Sequence, residues 1–513
     1  MNAKRNRQLG IVLSYISMAL SFIIGMVYTP YALRKMGQSD YGNYQYISSL
    51  VNYLSLLTCG FGSAYLRFST PYRRNGDKEG IENINGLFLT LFMIMGSIAL
   101  VIGGIMVVNS DFILGGKLTA DELATGKILM LILVVNLFLT FPISIFNSYI
   151  IAQEKFFFQK LLALISHLLN YGLSVAALAL GHKSIGVTLS MLAVSVIVNT
   201  TTILFCILRL KMRFRFKLNN MSQVKEVFAF SSFILLSMVI DQINWSVDKF
   251  LLGKLCGTAV VSIYTVGATI NTHYKSLGDA ISNVYVPKVY KVLDRENPDW
   301  EATKLMTSIG RAQAIFLLLI LSGFTIFGQA FIKLWVGPEY WQSYYVILLL
   351  LFPVTIPEIQ KIGLEIQKAK NMHKFRSVIF AFIAGANLLI SIPLCMKFEA
   401  IGAAIGTTIT VIIGNGIIMN IYYHKKVHLD MIYFWKQICS LLPAVVASAA
   451  VGVALNVIIK PQTWLWLVVA IGIYVVVYLA AMFGFGFNKE ERNTILQKVG
   501  GIFRRLRKKA IKE

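Results

Sequence analysis

The chain has 513 residues, 56% of them hydrophobic and 14% charged, with a mean hydropathy of +0.67. Soluble globular chains carry about 25% charged residues, so this chain has too little polar surface for a soluble fold of its length. The net charge of +24 raises the question of nucleic acid. The cations, however, stand in short clusters between apolar blocks, as juxtamembrane anchors do, and that pattern argues against a nucleic-acid partner.

The N-terminal Lys4-Arg5-Asn6-Arg7 precedes an apolar run from Leu9 to about Leu33. The run is too long for the apolar region of a signal peptide and reads as a first span. Fourteen such blocks follow one another, at about 9–33, 42–66, 85–108, 125–152, 161–180, 185–208, 228–252, 259–287, 309–335, 343–367, 376–396, 401–423, 437–459 and 464–487. Each can cross roughly 30 Å of hydrocarbon at about 1.5 Å per residue. Backbone groups in lipid must be satisfied within the segment, so blocks this long are helices. The expected fold class is an all-α polytopic membrane protein with about 14 transmembrane helices.

Lys and Arg are enriched roughly fivefold in alternate loops. That bias places both termini in the cytoplasm. The densest stretches, Arg209 to Lys217 and Arg504 to Lys509, read as contacts with anionic membrane lipids. The longest loop on the opposite side, about 109–124, is too short for an extracytoplasmic catalytic or receptor domain.

An internal repeat is visible. Gly37-x6-Tyr44 recurs as Gly257-x6-Tyr264, 220 residues on. Ala152 and Asn170 have counterparts in Ala369 and Asn387, each at an offset of 217, and Ile185-Gly186…Asn199 recurs as Ile401-Gly402…Asn415 at 216. Two six-span repeats inserted with the same orientation imply a pseudo-two-fold axis along the membrane normal. The expected division is an N-lobe at 1–217, a C-lobe at 218–427, a terminal helix pair at 428–487 and a basic cytoplasmic tail at 488–513.

No HExxH, Walker A or GxSxG signature occurs, which argues against an enzyme. The five cysteines show no CxxC spacing and the six histidines no metal-ligand spacing, so neither a metal site nor a cofactor is expected. The informative residues are polar groups inside spans. Charge there costs about 2.5–3.5 kcal/mol on the lenient scale and is usually turned to a bundle interior or wet cavity.

Span 7 places Asp241, Asn244, Trp245 and Asp248 on one helical face, with Lys249 adjoining. Span 8 carries His273, Lys275 and Asp279; Lys275 and Asp279 are four apart and can neutralise each other. In span 10, Glu358, Lys361 and Glu365 follow Pro353 and Pro357, which should kink the helix. Spans 1 and 2 hold hydroxyls and polar aromatics instead, with Tyr15, Asn52 and Tyr53 deepest, a surface suited to sugar rings or to helix packing. Arg67 closes span 2, in the place of a snorkelling anchor.

The arrangement of spans, with Asp248-Lys-Phe-Leu-Leu-Gly253…Gly257…Ile263-Tyr264 and Leu334-Trp-Val-Gly-Pro-Glu-Tyr340, resembles the Wzx-like oligosaccharide flippases. These are the polysaccharide-transport branch of the multidrug/oligosaccharidyl-lipid/polysaccharide exporter superfamily. The resemblance covers essentially the whole chain. It implies two V-shaped six-helix lobes, alternating access, and an undecaprenyl-diphosphate-linked oligosaccharide as substrate, flipped across the bacterial cytoplasmic membrane. A polysaccharide polymerase and other assembly proteins are the partners it implies.

Cations would meet the diphosphate, and Lys275, His273 and Arg67 are the candidates by location; Asp241, Asn244, Asp248, Asn52 and Tyr53 would line the same cavity. Asp279, Glu358 and Lys361 are candidates for coupling or gating, with H+ or Na+ left open. No charge lies between Arg7 and Arg34. The lipid II flippase branch carries an Arg-Asp pair in span 1 and the drug-extruding branch an acidic residue there, so both alternatives are weakened. A membrane glycan polymerase is further off, because no large outer loop is present.

Overall fold

The computed structural model describes residues 3–58, 60–216, 221–293, 297–372, 374–489 and 491–493. Among the described residues the chain is helical, with no strand. Ten α-helices come first: α1 (Ala3–Met36), α2 (Gln38–Leu54), α3 (Phe61–Arg74), α4 (Lys78–Val108), α5 (Ser110–Leu114), α6 (Ala120–Thr140), α7 (Ile143–Ala152), α8 (Phe156–Ala179), α9 (Lys183–Leu204) and α10 (Met221–Leu255). They are followed by α11 (Thr258–Leu293), α12 (Pro298–Trp335), α13 (Trp341–Ile359), α14 (Lys361–Ala369), α15 (Lys374–Val411), α16 (Met419–Lys425), α17 (Met431–Cys439), α18 (Leu442–Ile459) and α19 (Trp464–Ala481). The chain forms two compact units. The first is Met1–Val266 with Phe380–Gly406, and the second is Gly267–Ile379 with Thr407–Glu513.

All fourteen apolar blocks coincide with helical segments. Ten helical stretches among the described residues are long and apolar enough to cross a membrane unaided, and one of them, Lys374–Lys425, holds two blocks. The other three blocks are 42–66, 228–252 and 259–287. The last two are those with ionisable side chains. The first is not one helix, as its continuous apolar run suggested. A 3-10 turn at Ser55–Thr58 and a left-handed Gly60 (φ 66°) separate α2 from α3. A Cβ on Gly60 would overlap the Ile234 side chain of α10, so glycine serves both the turn and the contact. Block 125–152 is likewise broken, between α6 and α7 at Phe141-Pro142, where proline removes a helix hydrogen bond. A kink at Glu399 (φ 51°) divides α15 into the two predicted spans.

The sequence repeat is mirrored in the backbone. Left-handed residues recur at the repeat offset: Gly37 with Gly257, Gly116 with Gly337, Glu154 with Asn371, Lys183 with Glu399, and Lys211 with His428. Such conformations cost a non-glycine residue about 1 kcal/mol. Their recurrence shows that both halves turn the chain at corresponding points.

Within the first unit, Phe61 meets the rings of Phe92 and Phe228 edge to face, at centroid distances of 5.8 and 5.5 Å. Phe61 and Phe92 belong to a buried cluster that also includes Phe88, Tyr65, Phe146 and Tyr149. Lipid is as apolar as a side chain, so close packing rather than burial from water holds such helices together. Within the second unit, α12 is the hub. Gln313 donates to the Gly278 carbonyl at 2.9 Å and to Ser282 Oγ at 2.7 Å, fixing α11. Tyr478 donates to the Ile315 carbonyl at 2.8 Å, and the Ser322 and Tyr474 hydroxyls are 2.6 Å apart, fixing α19.

Candidate functional site

In the first unit, Asp248 of α10 is buried, at 3% exposure. The Tyr264 hydroxyl of α11 donates to its Oδ2. Lys249 donates to Gln45 Oε1 of α2 at 3.1 Å. Tyr53, on the same helix as Gln45, lies within reach of the Asp248 charge, and its hydroxyl is buried without a hydrogen-bond partner among the described residues. Asn52 is exposed. Arg67 is exposed on α3 with its guanidinium over the Phe230 ring of α10, 4.5 Å from the centroid, a cation–π contact that also ties α3 to α10. The side chains of Asp241, Asn244, Trp245 and Tyr15 lie outside the described residues.

The two motifs behind the family resemblance serve packing. Asp248 and Tyr264 bond to each other. Gly253 leaves room for the Tyr46 ring, and Gly257 supplies the left-handed turn before α11. In the second motif Gly337 turns at φ 122°, Tyr340 is buried, and Trp335 stacks on Phe331 with centroids 5.3 Å apart.

In the second unit the sequence candidates converge. Lys361 forms ion pairs with Asp279 of α11 and, at 3.5 Å, with Glu358 at the end of α13. Lys275, one turn before Asp279, places its charge on both Glu358 and Lys361. Glu358 is buried at 4% exposure. It packs against Gly278, where a Cβ would stand 2.5 Å from the carboxylate Oε2. His273 is half-buried on the same helix. The helix breaks at Gln360, after Pro353 and Pro357 as their spacing predicts, so Glu358 and Lys361 stand on opposite sides of the break. Gln360 is held by Asn420 Oδ1 at 2.9 Å, which also accepts from Trp435 Nε1 at 2.7 Å.

Two lysines and two carboxylates thus share one site. An apolar cavity of about 520 Å³ lies elsewhere in this unit, along α12, α13 and α18, and its lining holds no charged side chain.

A further polar group was not anticipated. Glu122, in the first turn of α6, accepts from the hydroxyls of Ser39 and Thr258, the latter at 2.6 Å, and from the Thr119 amide at 2.8 Å. Asn43 Nδ2 donates to the Glu122 carbonyl at 2.7 Å. The starts of α2, α6 and α11 therefore meet at one carboxylate. Thr119-x-x-Glu122 is a capping box legible in the sequence. Its partners at 39 and 258 are not.

The polysaccharide biosynthesis protein family matches residues 10–292, more than half of the chain. Over 503 residues the chain is 22% identical to the Bacillus subtilis (strain 168) protein "Uncharacterized membrane protein EpsK", covering 93% of this chain and 95% of that one. It is 26% identical over 215 residues to the Staphylococcus aureus "Capsular polysaccharide biosynthesis protein CapF", covering 41% and 52% of the two chains. Among solved structures, lipid II flippase MurJ in its inward closed conformation superposes with a TM-score of 0.74 at 17% identity, covering 93% of this chain and 98% of that one. An inward-facing multidrug resistance MATE family transporter of the MOP superfamily gives 0.57 at 13%, covering 82% and 98%.

The fold is that of the MurJ and MATE structures, and the chain is a multi-pass membrane protein. The chain belongs to the polysaccharide biosynthesis protein family.

Proposed function

We propose that the protein flips an undecaprenyl-diphosphate-linked oligosaccharide across a bacterial cytoplasmic membrane by alternating access, with both termini in the cytoplasm. Coupling to an ion gradient is part of this reading. The observation that carries it is the cluster of Lys275, Lys361, Asp279 and Glu358, brought together from α11, α13 and α14. Charge is retained at such depth when a polar path needs it. Lysine meets phosphate as a point charge, and the lipid tail can stay in the bilayer while only the headgroup needs that path. The family match and the MurJ-like fold support the same class. Membrane lipids and a polysaccharide polymerase are the expected partners; no catalytic step is assigned to this chain.

The test is reorientation of a labelled undecaprenyl-diphosphate sugar in proteoliposomes. Transport that appears with the protein and is lost in Lys275→Ala and Lys361→Ala supports the reading. A wild-type protein that leaves the label in its original leaflet under proton and sodium gradients refutes it.

A second reading, a drug or cation antiporter, draws on the buried carboxylate of Glu358 and the MATE-like fold. A deletion strain separates the two. Lost surface polysaccharide with unchanged drug sensitivity favours the flippase.

A further inference from the structure

We infer that Glu358 takes up a proton when an anionic headgroup draws Lys361 and Lys275 away from it, so that substrate binding and proton uptake are one event. This rests on the flippase reading and adds to it the ion, the residue and the order of charge exchange.

The geometry separates the two carboxylates that share Lys361. The Asp279 side chain is 41% exposed and that of Glu358 only 5%. If the lysines leave, water can carry the charge of Asp279. Glu358 is shut against Gly278 and has no such recourse. A buried carboxylate left without its cation is costly and becomes neutral instead. The balance is simple: one carboxylate and one proton from solvent give one carboxylic acid.

The groups around Glu358 leave few other ways to restore neutrality. From α11 it faces Tyr274, Lys275 and, through Lys361, Asp279. From α14 come Lys361 itself and, through its charge, Glu365 and Lys368; from α15 comes Arg376. Glu365 is already paired with Lys368 at 2.7 Å, and Arg376 interacts with Tyr423.

The chain also gives the lysine freedom to be handed over. Lys361 is the first residue of α14, beyond the break at Gln360, whereas Glu358 ends α13. Its side chain is 26% exposed, so an incoming anion can reach it without entering the buried layer. A diphosphate offers it more negative charge than either carboxylate does.

Linkage fixes the sign. If binding takes up a proton, affinity rises as pH falls, by at most about tenfold per pH unit for one proton. The probe is undecaprenyl diphosphate added to the full-length protein in detergent, with a pH indicator in weak buffer and binding followed by calorimetry. The expected result is uptake of about one proton per lipid bound. Glu358→Gln, which mimics the protonated form, should bind the lipid with no uptake and no pH dependence. Asp111→Asn, which removes a carboxylate paired with Lys127 in the first unit, should retain both.

Lipid binding by the wild type without proton uptake would overturn the inference and leave the flippase reading standing. So would uptake that persists in Glu358→Gln. Failure of the wild type to bind the diphosphate lipid at all would overturn both.

Discussion

Arg311 and Glu491, 180 residues apart in sequence, meet in a two-bond ion pair, Nε to Oε1 at 2.8 Å and Nη2 to Oε2 at 2.9 Å. The remaining donors of the guanidinium are also used. Nη1 donates to the Gln437 carbonyl and to Ser440 Oγ at 2.7 Å, and Nη2 donates to the Gly486 carbonyl at 2.9 Å. One side chain of α12 therefore ties down the end of α17, its C-terminal cap Ser440 and the turn after α19. This is how the terminal helix pair is held within its unit.

Arg311 is 3% exposed in its side chain and Glu491 23%. Arg311→Met should orphan two carbonyls and a carboxylate and cost about 3 kcal/mol, read as a lower Tm in detergent. Glu491→Gln should cost less. Burial pushes the Glu491 carboxyl up, but the bonds from Arg311 and the Asn488 amide and the Arg311 charge together hold it below the usual carboxylate value. A depressed folded-state pKa gives stability that is fully present above the unfolded value, about 4.3, and is lost as pH falls through the folded one. The Tm difference between wild type and Glu491→Gln should therefore be constant at neutral pH and close progressively below pH about 4. A difference unchanged down to pH about 3 would refute the pair's electrostatic role.

The Glu122 group makes a second prediction. Glu122→Ala removes the acceptor shared by Ser39 and Thr258 and also breaks the Thr119 capping box, a loss of about 1–2 kcal/mol. Thr258→Val should cost less, because Ser39 and Thr119 keep the carboxylate. In a double-mutant cycle on Tm the pair should couple by about 1 kcal/mol. Additive losses would mean that the contact between α6 and α11 carries no energy.

These groups mark the limit of what the sequence could yield. Hydropathy located the fourteen crossing blocks because each is local and long. The repeat was legible for the same reason, since Gly37 and Gly257 turn the backbone at matching places. The breaks at Gly60 and Pro142 were hidden inside apolar runs, where hydropathy is blind to backbone conformation. The partners of Glu122 and Arg311 come from positions scores of residues away, and a hydrogen bond at that separation leaves no periodicity. Span 8 suggested that Lys275 and Asp279 neutralise each other. In the structure Asp279 pairs with Lys361, which the restart of the helix after Gln360 supplies from another element. Local spacing named the members of the charged cluster but not who pairs with whom.

Close approach of α2 to α11 gives a third prediction. A Cβ on Gly42 would overlap the Thr258 carbonyl, which is backbone and cannot step aside. Gly42→Ala should destabilise by about 1–3 kcal/mol. Gly172, in α8, has nothing within 4 Å of its would-be Cβ. Gly172→Ala should be neutral or stabilise by up to about 1 kcal/mol through helix propensity. Equal Tm values for the two variants would refute the close contact.

Gly278 tests the charged cluster without removing any charge. Its missing Cβ is the space in which the Glu358 carboxylate rests. Gly278→Ala should push that carboxylate away from its place beside Lys361, where the ion pair is already long at 3.5 Å. Alanine also favours the helix, so α11 itself should not weaken. The expected outcome is a protein that purifies with a Tm near wild type but flips the labelled lipid several-fold more slowly, by about tenfold if the displaced pair costs 1.4 kcal/mol in the transport barrier. Gly278→Ser, slightly larger and able to hydrogen-bond the carboxylate, should retain more transport than a purely steric effect allows. Unchanged transport in Gly278→Ala would show that the position of Glu358 does not matter to the cycle, and the cluster would then be a structural ion pair alone.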